Sequence, residues 1–492
     1  MTIDYDIVHA EFDAQESELT ARQTALLENW RFYEGKHRQW LKVKEGGHND
    51  NVTINLCGVL VDRTVSRLFG DPVRGDLLDF DLVPTEAVSE GEAPTLDQAP
   101  APEKIQEARR YLEQVWERSG GIHTVLSRTG VYGAVTGHFV LRLVADDEIP
   151  RFVVLDPGIV SVLVKGDDRD KVRAYSIQFP VKRRDKDGDI RDADFRQLIV
   201  YGPEFGGEEG WYIQDFIRFK PKTSPDRLRL LDDEVPRWQP AGDEEIWPFC
   251  PLFDGQNLPS ARSYWGMADL ENVKNINDEI NFILSNVNRI IRFHAHPRTI
   301  GIGIEPSQVQ DTAVEAFWTV ATTPDKAEIF NLEMQSDLPA VFNFFQIIRE
   351  AFWTIGREAD PSVFKEKIGN VTNFGLRVLY MDALNKLGQK RQTYGKVLSN
   401  LLERCLELKG FNNLRALPNW SDPLPTDPRE TVQTLQMERD MQIVSRETAA
   451  LERGRNWEVE KRRMQEDAQG QSVGKRLLRM LQAGGTDDEE SE

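Results

Sequence analysis

Between Ser263 and Leu408 the apolar positions fall into helical stripes longer and wider than a small core requires. From Tyr264 to Arg292, the residues Met267, Leu270, Val273, Ile276, Ile280, Ile283, Val287 and Ile290 recur at intervals of three and four. That spacing predicts one amphipathic helix, roughly 45 Å long at about 1.5 Å per residue. Its other faces carry Asn272, Asn275, Asn277, Asn281, Asn286 and Asn288. Asparagine is a mediocre helix former, so amides at these positions predict contacts rather than solubility. A second helix is expected from Leu338 to Gly356, opened by Asp337 and Pro339, with Val341, Phe345, Ile348, Phe352 and Ile355 along one side. Phe342, Phe344, Ile347 and Trp353 crowd its remaining surface, and a helix apolar on nearly every side is surrounded by protein. Core helices of a large monomer and helices of a subunit ring both satisfy this pattern.

Around this pair the period changes several times. Residues 298–333 read as a compact insert with extended pieces flanking a helix-like stretch. Arg357 to Asn373 reads as a loop holding Asp360-Pro361, Lys365, Lys367, Gly369, Asn370 and Asn373. A long helix follows to Leu408, with Leu376, Tyr380, Leu384, Leu387, Tyr394, Leu398, Leu401, Cys405 and Leu408 on one side. Upstream, Phe12 to Glu34, Asn55 to Phe69, Ile105 to Arg118 and Ile122 to Gly137 read as helices. Gly130, Gly133, Ala134 and Gly137 in the last of these leave room for a close neighbour. From Phe139 the period is two. The runs 139–144, 152–155, 160–164, 174–181, 197–201 and 211–219 predict an antiparallel meander, with Asp185 to Asp189 as a hairpin tip. Asp427-Pro428-Arg429-Glu430 is a helix start, 85–102 reads as a surface insertion, and the acidic end from Thr486 as a disordered tail. The fold class is therefore α+β, mostly helical.

Composition narrows the function classes. The 492 residues, 40% hydrophobic and with formal net charge −20, suit a folded chain of several domains but not a free-standing nucleic-acid binder, which needs a basic stripe. The cluster Lys36, His37, Arg38, Trp40, Lys42 and Lys44 is read as a solvated face. Cys57, Cys250 and Cys405 are far apart, as expected of reduced buried thiols. The N-terminus has no signal-peptide pattern and no apolar run is long enough to cross a bilayer, so the expectation is a chain neither exported nor inserted in a membrane. Phosphate-loop, zinc-protease and serine-hydrolase motifs are missing, and the seven histidines are scattered. His294 and His296 lack further ligands at metal spacing and are assigned to packing. No cofactor, no metal and no catalytic residue is expected.

The order of elements carries more than any one residue. Tyr33-Glu34-Gly35, Asn55-Leu56, Arg67-Leu68-Phe69-Gly70-Asp71-Pro72, Tyr132-Gly133, Leu155-Asp156-Pro157, Ser263-Tyr264-Trp265-Gly266, Leu270 to Asn281, Asn373-Phe374-Gly375-Leu376 and Ser445-Arg446-Glu447-Thr448 follow in one sequence. Taken together the chain resembles the portal proteins of tailed bacteriophages, similar to those of long-tailed phages. The resemblance implies a ring, usually a dodecamer, at one capsid vertex, through which DNA is packaged and ejected. It implies a wing over 1–262, a first stem helix over 263–292 and a clip over 293–333. It further implies a second stem helix over 334–356, a tunnel loop over 357–373, a long wing helix and its connection over 374–426, and a crown over 427–482 before the tail 483–492. Lys365, Lys367, Asn370 and Asn373 would meet DNA through phosphate, and Asn272, Asn275, Ile276, Ile280, Ile283, Phe345 and Phe352 would form subunit contacts in the stem. The implied partners are the capsid protein and scaffold, the terminase large subunit and a head-tail connector, with assembly in the host cytoplasm. A different head protein without a channel, or a cytosolic enzyme with an unrecognised site, remain the alternatives at this point.

Overall fold

The protein was analysed as a computed structural model, which describes residues 3–43, 48–71, 75–84, 102–185, 188–220, 237–295, 298–302, 317–320, 328–332, 338–360, 373–424, 428–441, 444–445, 457, 461 and 464. In chain order the helices are α1 (Tyr5–Ala14), α2 (Glu16–Tyr33), α3 (Leu56–Phe69), α4 (Pro102–Arg118), α5 (Ile122–Thr136), α6 (Lys274–Ala295), α7 (Leu338–Ile355), α8 (Asn373–Leu379), α9 (Met381–Leu408) and α10 (Pro428–Asp440). The strands used below are β1 (Leu78–Pro84), β2 (His138–Val144), β3 (Arg151–Leu155), β4 (Val160–Lys165), β5 (Asp168–Arg184), β6 (Ile190–Tyr201), β7 (Trp211–Phe219), β8 (Leu252–Gln256), β9 (Arg298–Ile302), β10 (Phe317–Val320), β11 (Glu328–Leu332) and β12 (Leu414–Trp420). The chain divides into a large unit, 1–371 with 376–423, and a second unit, 372–375 with 424–492. In the second unit α10 opens on Pro428, which suits a position whose N–H would have no helical partner.

The predicted meander is split. β4, β5, β6 and β7 pair antiparallel in order, as alternation and the turn at Gly188 require. β2 and β3 instead pair with each other, and β8 joins β2 on its other edge. Alternation explains how the first sheet is covered. Ala174, Leu198, Val200, Tyr212 and Phe216 face Val8 and Phe12 of α1, while Tyr175, Ile177, Ile199 and Ile213 pack with Val140 and Leu252. Asp254 of β8 staples the sheets, taking hydrogen bonds from Tyr175 (2.7 Å) and Tyr264 and pairing with His138 Nε2 (2.8 Å). Burial raises the Asp254 carboxyl, yet these donors outweigh it and its pKa lies below the ordinary carboxylate value.

The main core joins α3, α4, α5, α9, β2, β3, β1 and β12. Its tightest point is Gly133 of α5, where any Cβ would collide with the Tyr394 hydroxyl of α9. Tyr394 stacks on Phe139 at 4.0 Å between ring centres and donates to Asn257 Oδ1 at 3.0 Å. Gly130 meets Val65 and Phe69 of α3 in the same way, so the small residues of α5 do admit close neighbours. The helix expected over Phe12 to Glu34 is broken at Gln15, between α1 and α2, and two of the long helices also differ from expectation. The first long helix starts at Lys274 rather than Tyr264, because Met267 N donates to Leu258 O and Asp269 N to Ala134 O, outside any helical ladder. The helix towards Leu408 is divided at Tyr380, whose ring lies 4.9 Å from the Arg67 guanidinium.

α1 is held on the sheet partly by His9, which is buried, stacks on Trp238 and meets Arg196 Nη1 at 3.1 Å through Nδ1. An arginine only donates, so Nδ1 accepts and the imidazole is neutral. Burial, then the Arg196 charge, lowers its pKa to about 4, against 6.5 in an unfolded chain. The unfolded state therefore takes up the proton first as pH falls. The stabilisation is complete above pH 6.5 and is lost progressively towards pH 4. We predict that between pH 7.5 and pH 5 the amide protection of residues 5–14 falls by roughly thirtyfold (about 2 kcal/mol) relative to α9, measured by hydrogen exchange corrected for intrinsic rates. The variant His9→Asn should abolish this pH dependence.

Candidate subunit-contact and channel site

α6 holds an extended neighbour by its amides. Asn277 Oδ1 accepts from Leu56 N (2.9 Å) and Cys57 N (3.1 Å), and its Nδ2 donates to Ile54 O (2.9 Å). One turn on, Asn281 Oδ1 accepts from Ile54 N (2.8 Å), Ser285 Oγ accepts from Val52 N (3.0 Å), and Asn288 Nδ2 donates to Asp50 O (3.1 Å). Arg292 completes the row with an ion pair to Asp50 at 2.6 Å. The fit is a matter of pitch: four helical residues rise about 6 Å and two extended residues about 6.6 Å, so successive turns meet alternate residues of 50–56. Asn277 also caps α3. Asn55 Oδ1 takes Gly58 N at 2.9 Å, and Asn277 takes the two remaining early N–H groups.

At the entry to α6 stands a buried charge cluster. Asp269 receives Lys390 Nζ at 2.6 Å and Lys386 Nζ at 3.2 Å, with all three side chains buried. Its Oδ1 also accepts from Asn257 Nδ2 (3.3 Å), and Lys386 Nζ reaches Gly356 O at the end of α7 (3.1 Å). Burial raises the Asp269 carboxyl, but the two ammonium groups overcome this and its pKa is lowered. Lys390 is pushed down to about 8, chiefly by burial, with Asp269 opposing. The signal for this cluster was present in the sequence, since Lys386 and Lys390 fall on the same i, i+4 row as the buried Tyr394 and Leu398.

α7 ends in a Schellman turn. Glu358 N bonds Trp353 O (2.9 Å) and Arg357 N bonds Thr354 O (3.1 Å), with Arg357 in the left-handed region at φ 54°. That conformation costs a non-glycine residue about 1–2 kcal/mol. The acids beyond it turn inward, Glu358 to Arg67 of α3 and Asp360 to Arg349 of α7 (3.1 Å).

The predicted stem residues occupy different surroundings within the chain. Ile280, Ile283 and Phe352 are buried in its own interior, and Ile276 and Phe345 pack half-buried against the main core. Asn272, just before α6, and Asn275, in its first turn, are exposed. Lys365, Lys367 and Asn370 lie outside the described residues, and Asn373 begins α8 with its side chain outside them. His296 and Lys44 also lie outside. In the basic cluster, His37 is buried beside Asp278 (3.9 Å) and Trp40 packs on Phe282 at 5.5 Å, so this stretch serves as packing for α6. Among the described residues no group of His, Cys, Asp and Glu could hold a metal, and no helix is long and apolar enough to cross a membrane.

α6 and α7 thus flank an insert that contains β9, β10 and β11, and the helix towards Leu408 is broken at Tyr380. The profile of one family, described as phage portal protein, SPP1 Gp6-like, matches residues 15–472. The chain belongs to that family. Its function follows: a structural component of the virion capsid that forms an oligomeric ring, the channel for DNA packaging and ejection. The comparison with curated proteins finds no match. Among 103 matching chains of solved structures is one from "Virion of native gene transfer agent (GTA) particle", at 11% identity and TM-score 0.39, covering 81% of this chain and 88% of its own.

Substituting Asn277→Ala leaves the N–H groups of Leu56 and Cys57 and the carbonyl of Ile54 without their side-chain partner. We predict a loss of about 2–3 kcal/mol in urea unfolding of the dissociated chain. Asn272→Ala, at an exposed position, should cost under about 0.5 kcal/mol in the same assay.

Proposed function

We propose that twelve copies of this chain close into a ring whose stem is built from α6 and α7, with 293–333 as the clip and 357–373 as the tunnel loop. The observation that carries this reading is the outer face of α7. Phe344, Ile347 and Ile355, which share one side of the helix, are 51%, 62% and 47% exposed, although the helix is anchored in the core by Phe352 and Trp353. Large apolar side chains adjacent on one helix mark a contact surface. A cyclic ring supplies the cover, because each subunit presents this face to a different face of the next one. The exposed Asn272, just before α6, and Asn275 of α6 suit that second, more polar face.

In this reading the clip docks the terminase large subunit during packaging and a head-tail connector afterwards, and the wing meets the capsid protein and scaffold as the particle assembles in the host cytoplasm. Double-stranded DNA passes without sequence preference, touched through phosphate by Lys365, Lys367, Asn370 and Asn373. The net charge of −20 keeps the rest of the protein from holding the polyanion. The chain itself is passive, the ATP being hydrolysed by the terminase.

Native mass spectrometry of Phe344→Asp and Ile347→Asp tests the stem assignment. Both positions are exposed in the single chain, so the variants should fold with near-unchanged circular dichroism, yet they should appear as dissociated chains where the parent forms rings. Rings of undiminished abundance would remove α7 from the subunit contact.

A further inference from the structure

Among the described residues, Arg357 is the only one other than glycine with a positive φ. It takes the left-handed position of a Schellman turn, where glycine is preferred, although Gly356 stands immediately before it. A strained backbone retained with a long charged side chain points to a use for that side chain. The charges nearby are sorted to match. Glu358 and Asp360 have side chains only 2% and 11% exposed, withdrawn under Arg67 and Arg349. Arg357 is exposed, and no ion pair to it is present among the described residues. In a chain of net charge −20 the turn that follows α7 thus hides its two acids and offers Arg357 to solvent.

We propose that Arg357 is a phosphate-contacting residue of the channel, set to meet the backbone of double-stranded DNA. This rests on the portal reading above and adds a position outside the loop lysines. A guanidinium stays charged at any physiological pH and can take a phosphate through paired donors. The negative end of the α7 dipole also favours a cation here, but lysine would satisfy that equally well.

The test is the binding of a short duplex DNA to the full-length ring, followed by fluorescence anisotropy across a salt series, for the parent, Arg357→Gly and Arg357→Lys. Arg357→Gly should keep the ring and unfold at the same or a higher temperature, while binding DNA severalfold more weakly. Its salt dependence should flatten by about 0.9 in log–log slope for each phosphate that is no longer neutralised. Arg357→Lys should fall between the two. Unchanged affinity and slope in an intact Arg357→Gly ring would overturn the inference while leaving the portal reading standing. Loss of the ring in Arg357→Gly would overturn it too, by placing the residue at a subunit contact. A parent ring that does not bind duplex DNA would defeat the DNA-contact reading of the channel and this inference with it.

Discussion

One buried carboxylate ties together elements that the chain lays down far apart. Asp269 precedes α6, its two lysines lie on α9, and one of those lysines also holds the carbonyl of Gly356, the residue after α7. The backbone N–H of Asp269 is bonded to Ala134 of α5, and Asn257 links its carboxylate to Tyr394. Two cations on one anion leave the cluster with an excess positive charge in a desolvated place, which is tolerable only while all the hydrogen bonds are made. Removing the carboxylate would leave both ammonium groups uncompensated, at a cost of about 3–5 kcal/mol. The start of α6, the middle of α9 and the turn where α7 ends are therefore fastened to one another through this cluster.

The surface left over fits a subunit better than a finished monomer. α6 spends its buried amides on the chain's own residues 50–57, so its exposed Asn275 and the exposed Phe344 and Ile347 of α7 are what remain for a neighbour. The meander, in contrast, is closed: α1 covers one face and β8 with β2 covers the other.

Much of this was legible because burial imprints a local period. The stripe Leu270, Val273, Ile280, Ile283 and Val287 is buried as its spacing demands, and the strands of the meander follow from alternation. What was illegible depended on distant partners. The start of α6 could not be read because the N–H groups of Met267 and Asp269 are claimed by Leu258 and Ala134. The splitting of the sheet was hidden because β8, Leu-Phe-Asp-Gly-Gln, shows no alternation and pairs with a strand more than a hundred residues earlier. Amides were expected to make contacts, which Asn277, Asn281 and Asn288 do within the chain; sequence could not distinguish Asn277 and Asn281, turned to residues 50–57, from Asn272 and Asn275, turned to solvent.

The most direct test of this account is hydrogen exchange on Asp269→Asn compared with the parent. If the carboxylate is the common fastening, protection should fall together at 134–137, 269–277, 356–358 and 381–395, with the hairpin of β5 and β6 unchanged. A fall in protection confined to the sequence neighbours of residue 269, with 356–358 and 381–395 as in the parent, would contradict it.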